Sequence, residues 1–361
     1  MLKQRKRVGI VGLGDVARAH WYAYSKMDQV HIVAGADPDR QARSRFEAQG
    51  IKTFNTLDAM IAEASVDIVC VCSAVSTHES VARKAAGAGV HVLCEKPLSD
   101  NSISAKRIVD ACATAGVKLQ YGSSHRFLPA VTRARELLKE GRIGDVLQIK
   151  EEMIGGSGIS GYSSMDFSHY PQNGPGGGPW GLVDHGIHMM DVFPWLIDGK
   201  ITAAYGAGNR SGQVPKAEFA ILELNDGQVT GHLIYNELTF STTLPHEGIF
   251  GVGKGWGNEG LYAEGYWQSD PVSIEVYGSR GSIRIFGYPN ALFLANREGV
   301  VRIPTEPAAS PIQFTRQMEA FIRAIDEDLE PEVPGKIGVR ALEVLEAVYR
   351  SAETGKKVLL S

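Results

Sequence analysis

The chain has 361 residues, 43% of them apolar and 22% charged, with a formal charge of −4. That is length enough for two domains with ordinary globular cores, and it offers no electrostatic reason to expect a nucleic-acid partner or a membrane surface. No apolar run nears the roughly 20 residues a bilayer span needs, and no apolar segment follows the N-terminal charges as it would in a signal peptide.

The four cysteines lie in apolar runs, which suits a reducing, cytoplasmic setting. Cys70 and Cys72, two apart on one strand, lack C-x-x-C spacing and read as small core residues. No metal site is expected.

Val8 to Gly12 reads as a short buried strand, and Gly12-Leu13-Gly14-Asp15-Val16-Ala17 opens a helix through about Ser25. Val30 to Asp37 is a second strand ending on a carboxylate. The glycines let the backbone turn tightly and approach a pyrophosphate at a helix N-terminus. Asp37 stands about 20 positions on, where an acid reaches the adenosine ribose hydroxyls. Its charge repels a 2′-phosphate, so NAD is expected over NADP. Arg40 and Arg43 lie near enough to keep NADP possible.

The alternation of strand and helix continues. Strands are expected at 66–72, 90–94 and 118–122, with helices at 58–64, 78–88 and 102–115 between them. Ligands of open parallel sheets bind beyond the carboxyl ends of the strands. Gly12 to Gly14, Asp37, the loop from Ser73 through Ser76 to His78, Glu95-Lys96-Pro97 and Gly122 to Arg126 all fall on that edge.

After Pro129 the texture changes. A helix is expected over 129–141, then mostly strands with tight turns. Asn225-Asp226-Gly227 and Gly278-Ser279-Arg280-Gly281 join two hairpins, and 291–296 with 300–304 make a third. This predicts a meandering antiparallel sheet. Two long loops (155–175 and 245–271) interrupt it, and the second carries Trp256, Tyr262, Tyr266 and Trp267. Loops of that length are functional or interfacial; the aromatics suit a sugar ring and a second subunit equally. Helices at 313–329 and 338–355 and a strand at 357–360 close the chain.

The richest stretch is Gly176 to Asp191, where a glycine run gives way to a helical pattern. At about 100° per residue, Asp184, His188 and Asp191 share one face within roughly 60° and His185 points elsewhere. Val183, Ile187, Met190 and Pro194 form the adjoining apolar stripe. His188 can accept an alcohol proton near neutral pH, and Asp184 can orient the imidazole or a substrate hydroxyl. Lys96, held by Pro97 and paired with Glu95, can steady charge on an oxygen during hydride transfer. The pattern D-H-x-x-H-x-x-D also suggests a metal, but the wheel turns His185 away. Gly248 to Gly255 resembles a P-loop without its Ser or Thr, and no G-x-S-x-G elbow marks a serine hydrolase.

With Gly12-Leu13-Gly14, Glu95-Lys96-Pro97 and Gly176 to His188 in order, nearly the whole chain resembles the glucose–fructose oxidoreductase/inositol dehydrogenase (Gfo/Idh/MocA) family. Gly141 to Asp145, Glu275 to Gly281 and Ala347 to Ala352 add to the resemblance. It implies an α/β protein: an N-terminal Rossmann domain (1–127), then an α+β domain (128–361) with a large, mostly antiparallel open sheet used for homo-oligomerisation.

The resemblance also implies NAD(P)-linked oxidation or reduction of a ring hydroxyl on a sugar, cyclitol or derivative. Lys96, Asp184 and His188 match the family's catalytic lysine, aspartate and histidine, and His125, Arg126 and Trp180 are expected to line the substrate pocket. Ser73-Ala74-Val75-Ser76-Thr77-His78 lacks the proline common in relatives, and where relatives often have Asn before an Arg-Phe pair this chain reads Ser124-His125-Arg126-Phe127. Two rival functions use the same fold: glycoside cleavage through transient ring oxidation, and non-catalytic sugar sensing.

Overall fold

In the computed structural model, residues 5–154, 181–211, 214–236, 273–307 and 311–361 are described. Trp180 and both long loops with their aromatics fall outside these residues, as does the Gly248 to Gly255 segment. The chain packs as two compact units: 1–124 with 311–340, and 125–310 with 341–361. The expected division at 127/128 treats each domain as one continuous stretch, whereas the first unit takes back 311–340 from near the end of the chain.

The first unit is built on six parallel strands: β1 (Lys6–Val11), β2 (Val30–Ala36), β3 (Lys52–Phe54), β4 (Ile68–Val71), β5 (His91–Cys94) and β6 (Leu119–Tyr121). Their order is β3-β2-β1-β4-β5-β6, the arrangement that puts a dinucleotide crevice where strand order reverses, between β1 and β4. Strand β3 has only three residues, too short a run to stand out as a strand in the sequence. All four residues of β4 are buried, as an apolar strand covered on both faces requires. Five helices alternate with the strands: α1 (Asp15–Tyr24), α2 (Arg40–Glu47), α3 (Leu57–Glu63), α4 (His78–Gly87) and α5 (Ser102–Thr114). The side chains of Asp39, Thr56 and Asn101 cap α2, α3 and α5 by accepting first-turn N–H groups.

The second unit opens with α6 (Pro129–Lys139) and continues with β7 (Val146–Ile154), a π-helical turn (Leu182–Gly186), α7 (Ile187–Leu196), β8 (Ile201–Ser211), β9 (Val214–Leu224) and β10 (Val229–Asn236). After β11 (Ile274–Gly278), β12 (Gly281–Phe286), β13 (Ala291–Asn296) and β14 (Gly299–Arg302) come α8 (Ile312–Asp326), which belongs to the first unit, α9 (Gly335–Thr354), which belongs to it through Arg340, and β15 (Val358–Leu359). The nine strands run β14-β13-β12-β11-β7-β10-β9-β8-β15. The three expected hairpins form. The sheet departs from a simple antiparallel meander at its centre, where β7 and β10 pair in parallel. A hairpin cannot join parallel neighbours, and the chain from β7 to β10 passes through α7, β8 and β9.

Alternate residues of the central strands face in and out. Ile149, Leu222, Leu224 and Leu233 are buried, while Tyr205, Phe219 and Ile221 on β8 and β9 are exposed. One face of this sheet therefore forms core and the other presents apolar side chains.

Candidate active site

The end of β1 sets the geometry of the cofactor loop. Gly12 has φ +82°, and a Cβ there would lie 2.4 Å from the Ser73 backbone, so only glycine allows the two loops to approach. A Cβ on Gly14 would meet nothing within 4 Å. Gly14 begins α1 without a side-chain cap, which leaves first-turn N–H groups and the positive helix end for an anion. Asp37 Oδ2 accepts from Leu13 N at 2.7 Å, and Oδ1 accepts from Asp39 N at 2.7 Å. The open glycine, the uncapped helix start and the anchored acid fit the pyrophosphate and ribose of a dinucleotide.

The neighbouring arginines are engaged elsewhere. Arg43 donates to the carbonyls of Asp37 and Pro38 at 2.7 and 2.8 Å, and Arg40 pairs with Glu47 at 2.6 Å. Asp15 is exposed, 3.3 Å from Arg18, and Val16 is half-buried. Beyond β4, Ser73 lies 2.7 Å from the Thr77 hydroxyl, and Ser76 is exposed.

Two histidines tie these loops together from beneath. His78 is buried, with Nδ1 2.9 Å from the Pro97 carbonyl and Nε2 2.9 Å from the Ser73 carbonyl. Burial holds its pKa below the usual range despite both carbonyls, so one nitrogen donates at neutral pH. His78 thus sits between the Ser73 loop and the turn carrying Lys96 and donates to one of their two carbonyls. His20 on α1, fully buried, has Nε2 2.7 Å from Glu95 Oε1. Glu95 Oε2 accepts from Lys96 N at 3.0 Å, so both carboxylate oxygens brace the turn. Lys96 is half-buried and precedes a cis proline bond. Burial alone would depress His20; the adjacent Cys70 sulfur and Glu95 carboxylate outweigh it and push His20 up to about 10.

The second unit gathers imidazoles. His125, Arg126 and Phe127 form a buried 3-10 turn. The Arg126 guanidinium binds Asp191 through two hydrogen bonds, with Nε to Oδ2 at 2.9 Å, and lies 5.3 Å from the Trp195 ring. Asp191, grouped with Asp184 and His188 by the helical wheel, is instead the buried anchor of this turn. Arg126, expected to line the pocket, has this pair as its main engagement. The His125 and His188 rings are in contact, tilted by 47° with centroids 3.9 Å apart.

His185 is not turned away. Its ring lies 5.4 Å from that of His125 and 6.1 Å from that of His188. The cause is the π-helical turn, in which Gly186 N reaches Gly181 O at 2.8 Å, an i+5 bond. An extra residue in the turn shifts the phase between Asp184 and His188, so a wheel drawn at 100° per residue fails across it. Gly181 starts the turn at φ +46°, with Tyr235 too close for any Cβ. Glu218 accepts from Leu182 N at 3.0 Å and from the Tyr349 hydroxyl at 2.7 Å, capping it. Glu151 on β7 then fixes His185: Oε1 is 3.1 Å from Nε2, and Oε2 accepts from the Tyr235 hydroxyl at 2.5 Å. Tyr288 stands 3.5 Å from His125 Nε2. Asp184 is half-buried on the π turn.

Two family models match the chain: the oxidoreductase family's NAD-binding Rossmann fold over residues 6–123, and its C-terminal alpha/beta domain over 135–360. The chain belongs to the Gfo/Idh/MocA oxidoreductase family. As a member it is an NAD-dependent oxidoreductase. It is 26% identical to the D-glucoside 3-dehydrogenase of Escherichia coli K12, covering 98% of this chain and 97% of that one. It is 24% identical to the inositol 2-dehydrogenase of Rhizobium meliloti 1021, covering 98% and 99%. Among solved structures, the WlbA dehydrogenase of Bordetella pertussis with NADH and UDP-GlcNAcA superposes with a TM-score of 0.74 at 22% identity, covering 100% of this chain and 99% of that one.

Within this Gfo/Idh/MocA chain the first unit groups Gly12, Leu13, Gly14, Asp37, Ser73, His78, Glu95 and Lys96 along one sheet edge, and the second groups His125, Arg126, Asp184 and His188. His20, Glu151, Tyr235 and Tyr288 had no sequence signal, since strands and turns far along the chain supply their partners. The glycines before and at the end of the π turn, Gly181 and Gly186, were the available hint for His185. Among the described residues no helix is long and apolar enough to cross a membrane.

Proposed function

We propose that this oxidoreductase is a dehydrogenase that oxidises, or in reverse reduces, a ring hydroxyl of a sugar, cyclitol or sugar derivative. The observation that carries the reading is the buried group of His188, His125 and His185, held by Glu151 and by the Arg126–Asp191 pair. A base so enclosed and fixed suits abstraction of a hydroxyl proton in a water-poor site. The names of the dehydrogenase relatives support hydroxyl-bearing rings as the substrate class.

When bound, the dinucleotide supplies a hydride acceptor at its nicotinamide C4. His188 takes the hydroxyl proton as neutral imidazole. The Asp184 carboxylate accepts a hydrogen bond from the substrate and orients it. The Lys96 ammonium steadies the negative charge that grows on the oxygen as its proton leaves. His125 limits the swing of the His188 ring by packing against it. Asp37, with Arg40 and Arg43 engaged elsewhere, favours NAD over NADP. The exposed Tyr205, Phe219 and Ile221 support a homo-oligomer formed through the open sheet face, and four free cysteines are in keeping with the cytoplasm.

The test is nicotinamide absorbance with NAD or NADP across a panel of inositols, aldoses and glycosides. The best substrate should lose about 100-fold or more in kcat with His188→Ala or Lys96→Ala. Undiminished turnover in both variants defeats the assignment. A released aglycone with no net NADH replaces it by cleavage through transient ring oxidation.

A further inference from the structure

Under the dinucleotide loop, the first unit holds a second cluster that the proposed reaction leaves unused. Cys70 lies in β4 and Cys72 just beyond it, on the same side of the strand, with their sulfurs 3.5 Å apart. Helix α1 brings His20 against them. The donor atoms of His20, Cys70 and Cys72 all lie within 4.8 Å of one another, and among the described residues only this trio of His, Cys, Asp or Glu side chains does so. His20 and Cys70 are buried, and Cys72 is partly exposed, which gives a cation a way in.

We infer that His20 Nδ1, Cys70 Sγ and Cys72 Sγ form a binding site for a thiophilic cation of the zinc class. The donor set is two thiolates and one imidazole, which selects such ions over magnesium or calcium. Two sulfurs, each about 2.3 Å from a tetrahedral zinc, stand about 3.8 Å apart, close to the 3.5 Å found here. A disulfide suits the pair less well. It needs sulfurs at about 2.05 Å, against the 3.5 Å found here.

The surroundings of His20 complete the case. Its Nε2 faces Glu95 Oε1 at 2.7 Å, the arrangement in which a carboxylate holds one imidazole N–H and turns the other nitrogen to a metal. Nδ1 lies 2.7 Å from the Tyr24 hydroxyl, and that hydroxyl is 3.9 Å from Cys70 Sγ. Tyr24 Oη thus holds the Nδ1 side of the site and turns aside when the cation enters. Because Glu95 also holds the Lys96 backbone, the bound ion would brace the turn that carries the lysine.

The test is a titration of the full-length, reduced, chelator-treated protein with cobalt(II), a spectroscopic substitute for zinc. The expected result is a thiolate-to-cobalt charge-transfer band with tetrahedral visible bands, saturating at about one equivalent and bleached by zinc. Zinc should also raise the melting temperature, since it binds the folded state alone. Cys72→Ser and His20→Gln should weaken binding tenfold or more, while Cys112→Ser leaves it unchanged. Absence of the band in the unsubstituted protein overturns the proposal, and so does its persistence undiminished in Cys72→Ser. Conversion of Cys70 and Cys72 to a disulfide by peroxide, in a protein that takes up no cobalt when reduced, overturns it in favour of a redox pair. None of these readouts depends on dehydrogenase activity.

Discussion

In the first unit nearly every residue assigned to the cofactor stands at the carboxyl end of a parallel strand, so the spacing of strands along the chain sets its position. In the second unit His188 takes its surroundings from a 3-10 turn at 125–127, a π turn at 182–186, strands β7 and β10, and Tyr288 beyond β12. In the first arrangement each loop is anchored to its own strand, with His20 and Glu95 bracing the Lys96 turn. The second is an interlocked polar core, where removing one partner leaves another buried and unsatisfied. The lesson is that the site built from the most distant pieces should be the more fragile of the two.

Four substitutions break or sharpen that contrast. The largest effect is expected for Asp191→Ala, which leaves the buried Arg126 guanidinium unpaired. Urea denaturation should show a loss of about 3–5 kcal/mol, and pairing it with Arg126→Met should recover much of that. A loss below about 1 kcal/mol would mean that the pair does not hold the His125 turn. Next comes Glu151→Leu, which strands the Tyr235 hydroxyl and His185. Each orphaned group costs about 1–3 kcal/mol, and kcat should fall while the dinucleotide dissociation constant stays put; a matching fall in cofactor affinity would contradict the division of labour.

Gly12→Ala acts on the other side of the contrast. Its Cβ would press on Ser73, so fluorescence titration should show dinucleotide affinity weakened about tenfold, or about 1.4 kcal/mol. Retained affinity would show that this loop can relax. The smallest effect is Glu79→Gln. Two hydrogen bonds from Arg107, at 2.7 and 2.6 Å, hold the Glu79 carboxyl down to about 2. A lowered folded-state pKa stabilises above the ordinary value of 4.5 and stops doing so as pH falls through about 2. The variant should therefore trail the parent by less than about 1 kcal/mol at pH 7, with the gap closing over that acid window in pH-dependent melting.

Much of the molecule was legible from sequence because it depends on local chemistry. Apolar runs bounded by glycines define the strands, Gly12 and Gly14 mark the tight approach, and Asp37 follows at a spacing set by one helix and one strand. The three hairpins carry their own turn residues. Where short-range pattern ran out, the reading failed for identifiable reasons. β3 has too few residues to show a period. The parallel pairing of β7 with β10 joins segments that no local signal links.

By itself, then, the sequence determined the strand–helix alternation, the glycine turn after β1 and the three hairpins, because each follows from residue type at short spacing. Only the tertiary structure decided that His185 joins His188 and His125, that Asp191 answers Arg126, and that His20 lies against Cys70 and Cys72. Those pairings come from a π turn that breaks helical phase and from elements far apart in the chain. Their energies arise from burial of charged and polar groups against one another, a property of packing that no stretch of sequence carries alone.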